Sequence, residues 1–505
     1  MLGMNGDSFN NETKVSIVPK PASYKTTDGM FELNINSRIV VTNGSLKCNV
    51  YEEIKQNVAE YLANILRTST GYNIDTIISD CTYKPLVGDI VLNLLDYNNK
   101  EEESYELSIS SDYISIRAFQ PAGLFRGIQT LRQLFDVEIE NKTPVHNKKW
   151  SIACAEIKDS PIYPYRGLMI DIARHFFPKE AIMRQIDYAA LYKINKLHLH
   201  LTDDQGWRIE VKSRPALTEI GSLGAAYGDS GGYLTQNDFI EIVEYAAKQY
   251  IEVIPEIDMP GHVHAALASI PELNPNSLAA IPRTDVKVGL SQFMCRSEET
   301  YRFIDDVIRE IAAISPSKYF HIGGDEADKT SLSDYEYFMK RAAEIIKKYG
   351  KTTVGWNPYD CTNAIYGDAI VQNWFMPEDS LYYPKIKNLK VILSPAGAYL
   401  DQKYNKKTKI GFKWRGFINL DKAYSWYPSI IAPSVNVYGV ESTLWTETIV
   451  TEDDMDYMLY PRLLANAEIG WTAEENRVYS DFIERLPKQF DRLDKLNIKY
   501  CKDFD

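Results

Sequence analysis

Two rhythms of apolar and polar positions divide the chain. Between positions 31 and 118 the apolar residues fall into short alternating or continuous runs, at 31–35, 39–41, 89–95, 105–109 and 113–118. Runs of this length, set between turn residues, predict strands. Helical spacing interrupts them twice. Ile54, Val58, Tyr61, Leu62 and Ile65 share one face of a helix over 51–67, and Leu124, Ile128, Leu131 and Leu134 share one over 124–134. The entry segment Ile17-Val18-Pro19-Lys20-Pro21 is kept extended by its two prolines. Residues 14–155 therefore read as an α+β domain, preceded by a polar tail, 1–13, that is predicted to be disordered.

After Asp159-Ser160-Pro161 the pattern becomes strand, loop, helix, repeated. Strand-like runs recur at 166–172, 196–201, 252–257, 319–322, 352–356, 369–374, 391–394 and 437–444. Between several of them lie helices with one apolar stripe: Ile182, Ile186 and Ala189; Phe239, Val243, Ala246 and Tyr250; Tyr301, Ile304, Ile308 and Ile311; Ala342, Ile345 and Ile346. Eight such units predict an α/β catalytic domain over 160–505, a (β/α)8 TIM barrel with long insertions. The connections after the fifth and seventh runs carry little helical pattern, and 471–505 reads as the last barrel helix and a tail. A doubly wound open sheet is the alternative, but no glycine-rich phosphate loop follows the first strand.

Composition narrows the partners. Hydrophobic residues make up 45% and charged residues 25% of the 505, and no apolar run approaches the roughly 20 residues that span a bilayer. No membrane span is expected. Lys and Arg number 56 against 69 Asp and Glu, a formal charge of −13 that repels nucleic acid. The six cysteines are scattered without a CxxC pair and read as free structural thiols, and the polar start lacks the apolar core of a signal peptide. Aromatic residues are 12%, with 34 Tyr and 8 Trp. Most must serve the core, yet ring-lined clefts suit sugars, because an aromatic face packs on the CH face of a pyranose.

In a barrel the chemistry sits where strands end, and polar and aromatic residues collect there. The first run opens with Arg166 and closes with Asp171, Arg174 and His175; the second closes with His198-Leu199-His200-Leu201-Thr202-Asp203-Asp204. The third gives Glu256-Ile257-Asp258-Met259-Pro260-Gly261-His262, and the fourth His321-Ile322-Gly323-Gly324-Asp325-Glu326. Later runs end in Trp356, in Trp374, in Tyr399 and Asp401, and in Trp445-Thr446-Glu447. Taken alone, Asp325 and Glu326 could be a turn before a helix N-terminus, where acids are favoured. Among the other strand ends they become candidates for glycoside hydrolysis, which needs a proton donor and a carboxylate that manages positive charge. Adjacent side chains on extended backbone diverge, however, so the two are not expected to flank one bond. His198, His200 and His262 offer a second reading, a metal-dependent amidohydrolase, against buried hydrogen-bonded histidines. A glycan-binding protein without catalysis is a third.

These residues resemble the family 20 glycoside hydrolases, the β-N-acetylhexosaminidases. The likeness runs from Ile17 to about Trp471 and rests on Arg166-Gly167-Leu168-Met169-Ile170-Asp171, the stretch from His198 to Trp207, Ile257-Asp258-Met259-Pro260-Gly261-His262, the stretch from His321 to Ala327, and Gly439-Val440-Glu441 continuing to Glu447. It implies an exo-acting, retaining, substrate-assisted hydrolase that needs neither metal nor cofactor, acting on terminal N-acetylglucosamine or N-acetylgalactosamine of glycans. By the same resemblance Glu326 is the general acid and base and Asp325 orients the acetamido group, supported by Asp203, His262 and His200. Tyr399 bonds the acetamido oxygen, Trp356, Trp374 and Trp445 wall the sugar, and Arg166, Asp401 and Glu447 bind its outer hydroxyls. One departure stands out: Asn357-Pro358-Tyr359-Asp360 follows Trp356 where members often carry an acidic residue.

Overall fold

A computed structural model describes residues 15–43, 48–95, 102–357, 369–374, 389–433 and 435–505. The polar tail and Pro358 to Asp360 lie outside them. The chain divides into two compact units, 1–160 with 476–497, and 161–475 with 498–505.

The first unit holds a mixed seven-stranded sheet. Its strands are β1 (Ser23–Leu33), β2 (Arg38–Asn43), β3 (Asp75–Asp80), β4 (Ile90–Leu94), β5 (Tyr105–Ile109), β6 (Ile114–Ala118) and β7 (Trp150–Asp159), in the order β1-β7-β5-β6-β4-β2-β3. The predicted runs are present, and β3 and β7 join them. Helix Pro121–Leu134 buries Leu124, Phe125, Ile128 and Leu131. Helix Tyr479–Lys495, read from sequence as the last barrel helix, belongs instead to this unit. Its Arg492 Nε donates to Glu140 Oε1 at 3.0 Å and its Arg485 Nη1 to the Ile17 carbonyl at 2.8 Å. Amphipathic spacing announces a buried face without naming what covers it.

The second unit is a closed barrel of eight parallel strands: β8 (Tyr165–Asp171), β9 (Lys196–His200), β10 (Glu252–Glu256), β11 (Tyr319–His321), β12 (Thr352–Trp356), β13 (Ile370–Asn373), β14 (Lys390–Leu393) and β15 (Asn436–Leu444). All coincide with predicted runs, and an open sheet is excluded by β15 pairing with β8. Strands buried on both faces must be apolar throughout, which is what makes them legible. The connection between β14 and β15 is the irregular one expected, with only short helical turns at Ala396–Ala398, Leu420–Tyr424 and Pro428–Ile431. Tyr165, Ile254, Tyr319, Val354, Ile370 and Ile392 form one packed apolar cluster in the barrel. Helix Arg462–Trp471 is buried along its length.

Among the described residues Cys81, Cys154, Cys295 and Cys501 are free thiols, and no helix is long and apolar enough to cross a membrane.

Candidate active site

Residues on or following seven of the eight strands line one pocket at the C-terminal end of the barrel. It is lined by Arg174 beyond β8, Val286 and Val288 beyond β10, Asp325 and Glu326 beyond β11, Trp356 closing β12 and Trp374 beyond β13. Tyr399, Asp401, Phe412 and Trp414 follow β14, and Trp445 and Glu447 follow β15. Its volume is about 250 Å³.

Gly323 and Gly324 make the presentation of the acid pair possible. Both have positive φ, 69° and 104°, and a Cβ on Gly323 would run into the Asp258 carboxyl. That carboxyl accepts the Gly324 N–H at 3.0 Å. Two successive turns of this kind are open to glycine without the usual steric cost. Glu326 itself sits at φ 44°, a strained backbone held at a working position.

His262 ties the pair together. Its Nε2 lies 3.3 Å from Glu326 Oε2 and 3.8 Å from Asp325 Oδ2, while Nδ1 is 3.2 Å from Asp203 Oδ1. Asp203 is held in turn by His200 Nε2 at 2.9 Å and Arg174 Nη2 at 2.7 Å. Burial opposes ionisation of Asp203, but Arg174, His262 and His200 overcome it and keep the carboxyl well below its ordinary range. Asp325 goes the other way. Burial, reinforced by Glu326 and opposed by His262, pushes it up to about 6. Burial and neighbouring Glu447 push Asp401 up to about 8. Among the described residues, Asp325 Oδ1 and Asp401 Oδ1 are buried acceptors with no hydrogen-bond partner. Buried acceptors in a pocket wall are poised for a ligand's donors, since leaving them unmet costs free energy.

The rings of the wall pack against one another in two groups. Trp356 and Trp445 lie 5.8 Å apart, Tyr399 meets Trp414 edge-on at 5.2 Å, and Trp374 meets Trp414 edge-on at 6.5 Å. Arg174 lies 4.9 Å over Trp445.

One assignment made from sequence is wrong. Arg166 does not reach the pocket: its guanidinium donates to the Lys193 and Tyr163 carbonyls at 2.9 and 2.8 Å and stacks on Trp471 at 4.9 Å. It lies near the start of β8, next to core-facing Tyr165, so strand alternation turns it outward. A Cβ on Gly470 would come within 2.8 Å of Arg166 Cγ, so glycine makes room for the arginine beside the helix. Arg174 occupies the pocket instead, clamped by Asp171 Oδ2 at 3.3 Å and by Asp203. Sequence reasoning noted Arg174 at the strand end but gave it no role, and it missed Val286, Val288, Phe412 and Trp414. The tryptophan among basic residues in Lys413-Trp414-Arg415 was a usable signal; the two valines had none. The three histidines of the amidohydrolase reading do not meet at one point, although His198 and His200 share Glu256 Oε2. His198 faces Glu256 and Glu441, His200 faces Glu256 and Asp203, and His262 faces Asp203 and Glu326.

The sequence profile for the glycosyl hydrolase family 20 catalytic domain matches residues 163–474, and that for the family's domain 2 matches 14–160. A β-N-acetylhexosaminidase of Cellulomonas fimi is 33% identical over 96% of this chain and 96% of its own length. The solved GH20 β-N-acetylhexosaminidase of Streptomyces coelicolor A3(2) has a TM-score of 0.89 at 37% identity, covering 97% of each chain. A mutant Streptomyces plicatus β-hexosaminidase in complex with product (GlcNAc) has a TM-score of 0.88 at 38% identity, covering 97% of this chain and 96% of that one. With its barrel, its pocket and these matches along nearly all its length, the chain belongs to glycosyl hydrolase family 20, the β-N-acetylhexosaminidases.

Proposed function

We propose that this glycoside hydrolase removes single β-linked N-acetylglucosamine or N-acetylgalactosamine units from the non-reducing ends of glycans, with retention, using the substrate's own acetamido oxygen as nucleophile. The observation that carries the reading is that Asp325 and Glu326 are chain neighbours sharing His262. Carboxyls so placed meet the substrate from one side and do not flank the scissile bond as a two-carboxylate retaining pair does. Glu326 protonates the glycosidic oxygen as the acetamido oxygen bonds to the anomeric carbon, and the carbon–oxygen bond to the leaving group breaks. Asp325 accepts the acetamido N–H through its unpartnered oxygen and balances the positive charge of the oxazolinium ion. Tyr399 donates to the acetamido oxygen, and Trp356, Trp374 and Trp445 enclose the methyl group and the ring. Water then attacks the anomeric carbon while Glu326 takes its proton, which restores the acetamide.

Exo action on one residue is in keeping with a pocket of about 250 Å³, below the roughly 300–1,000 Å³ usual for small-molecule sites. GlcNAc is the product held by the Streptomyces plicatus relative. Arg174, Asp401 and Glu447 are assigned to the sugar's outer hydroxyls. The test is the product itself. The β anomer of the free monosaccharide is expected first by NMR, released one unit at a time from the non-reducing end of a chito-oligosaccharide. An α anomer formed first, or release of disaccharides, contradicts the reading.

The two arginines separate binding from stability. Arg174→Met is expected to raise KM for an aryl N-acetylglucosaminide on the order of 10- to 100-fold, the size of one or two lost charge-assisted hydrogen bonds. Arg166→Met is expected to lower Tm by several degrees through its buried, unmet carbonyl partners, with KM unchanged within about twofold. Steady-state kinetics and thermal melts on both variants decide it, and a KM effect confined to Arg166 would reverse the assignment.

A further inference from the structure

Glu256 closes β10 inside the barrel and is fully buried. Its two oxygens face different parts of the site. Oε1 accepts the Trp356 indole N–H at 2.9 Å. Oε2 lies 2.6 Å from His200 Nδ1 and 2.9 Å from His198 Nε2. From His200 the contacts run through Asp203 and His262 to Glu326. From His198 they run the other way, to Glu441 at 2.9 Å, which takes hydrogen bonds from Tyr165 and from Gln372 Nε2, the latter at 2.6 Å. A Cβ on Gly167 would collide with the Glu441 side chain, so glycine at this strand position leaves room for it.

Carboxylates and imidazoles alternate along this path: Glu441, His198, Glu256, His200, Asp203, His262, then Glu326. Each inner member has a group of the other kind on both sides. Burial alone would strip the histidines of their protons, but Glu441 and Glu256 hold His198 at about 9, and Glu256 with Asp203 holds His200 well above its ordinary range. Alternation is how a barrel interior can carry several charges, since an unpaired buried charge is expensive.

We propose that Glu256 is a positioning residue of this enzyme, joining the acetamido slot to the acid–base group: one oxygen fixes Trp356 as the slot's wall, and the other anchors His200 so that Asp203 and His262 stay aligned on Glu326. The proposal rests on the function proposed above. Glutamine at 256 keeps an acceptor for the Trp356 N–H but removes the charge beside His200. With the amide oxygen on Trp356, the amide NH2 faces His200 Nδ1, which sheds its proton to accept from it; the neutral Nε2–H ring still donates to Asp203 but no longer offsets its charge. Asp203 and His262 shift in response, and the contact of His262 with Glu326 shifts with them. Other groups feel the same change: Asp258 and Asp325 are both raised in part by Glu256, and His321 Nδ1 lies 3.0 Å from Oε1.

The two arms are separable by kinetics. Glu256→Gln is expected to lower kcat about 10- to 100-fold, the usual size for an outer partner of a working side chain, and to move the alkaline limb of the kcat/KM profile, where a general acid loses its proton, by at least about half a pH unit. Trp356→Phe, which keeps a ring and removes the N–H, is expected to raise KM across substrates with 2-acetamido, 2-propionamido and 2-butyramido groups while leaving the limbs in place. Glu256→Asp retains the charge with a shorter reach and is expected to restore the limb toward wild type; Glu256→Met, without charge, stands in for a glutamine variant that does not fold. If the limb stays within about 0.2 units in every folded uncharged variant at 256 while Glu326→Gln is inactive, the role of Glu256 falls and the function stands. If Glu326→Gln is itself fully active, the function falls first.

Discussion

Replacing Glu326 by glutamine is expected to lower kcat on N-acetylglucosaminides by a factor on the order of 10² to 10⁴, about 3–5 kcal/mol of barrier. Glutamine keeps the length and shape of the side chain and has no acidic proton to give, so the loss falls on the step in which the leaving oxygen needs one. The effect is therefore graded. A sugar leaving group, whose alkoxide is a strong base, is to suffer most, and a nitrophenolate, which departs without much help, least. The backbone at 326 is already committed to φ 44° by the Gly323-Gly324 turn and its bond to Asp258, so the variant is expected to melt within a few degrees of wild type. Binding of N-acetylglucosamine should persist because Arg174, Asp401 and the ring wall are untouched. A glycan-binding protein without catalysis would show no rate to lose, and an unchanged rate on the sugar-leaving substrate removes Glu326 from the chemistry.

The parts of this molecule that could be read from sequence are those with a local physical cause. Each barrel strand is buried on both faces and appears as an apolar run of a few residues, so all eight were legible. β3 is a half-exposed edge strand, Asp-Thr-Ile-Ile-Ser-Asp, and β7 mixes Ser, Cys and two Ala with Trp150 and two Ile, so neither shows as a clear apolar or alternating run. The site was legible to the extent that strand ends are. Asp325, Glu326, Trp356, Trp374, Tyr399, Asp401, Trp445 and Glu447 all line one pocket, whereas Val286, Val288, Phe412 and Trp414 come from long connections without periodicity. Arg166 is misplaced by residue type alone, because its parity in the strand decides which way it faces. It alternates with Tyr165, whose ring is in the barrel core, and it stands at the opposite end of the strand from the chemistry. The helix Tyr479–Lys495 failed for a different reason, since its partners, including Glu140 and Ile17, lie more than three hundred residues away in the chain.

A substrate whose 2-acetamido group is exchanged for a hydroxyl is expected to be turned over at least on the order of 10⁴-fold more slowly, a larger effect than any single side-chain change. The acetamido oxygen is a nucleophile already attached to the reacting sugar, and a well-oriented intramolecular group is worth an effective concentration of roughly 10⁵–10⁸ M. The protein's part is to hold that arm in line: Trp356, Trp374 and Trp445 confine it, Tyr399 meets its oxygen and Asp325 its N–H. Burial and Glu326 raise Asp325 to about 6, so its carboxylate form is lost as pH falls through that value. The rate on the acetamido substrate should fall there too, and Asp325→Asn should flatten that limb. Electron withdrawal gives an independent reading. Mono-, di- and trifluoroacetamido substrates put progressively less charge on the attacking oxygen, so log kcat/KM should decline steeply and monotonically along the series. A two-carboxylate enzyme would be nearly indifferent to these changes, because its nucleophile would be its own. Equal turnover of the hydroxyl and acetamido substrates, or a flat response to fluorination, would return the nucleophile to the protein and leave Asp325 without its partner.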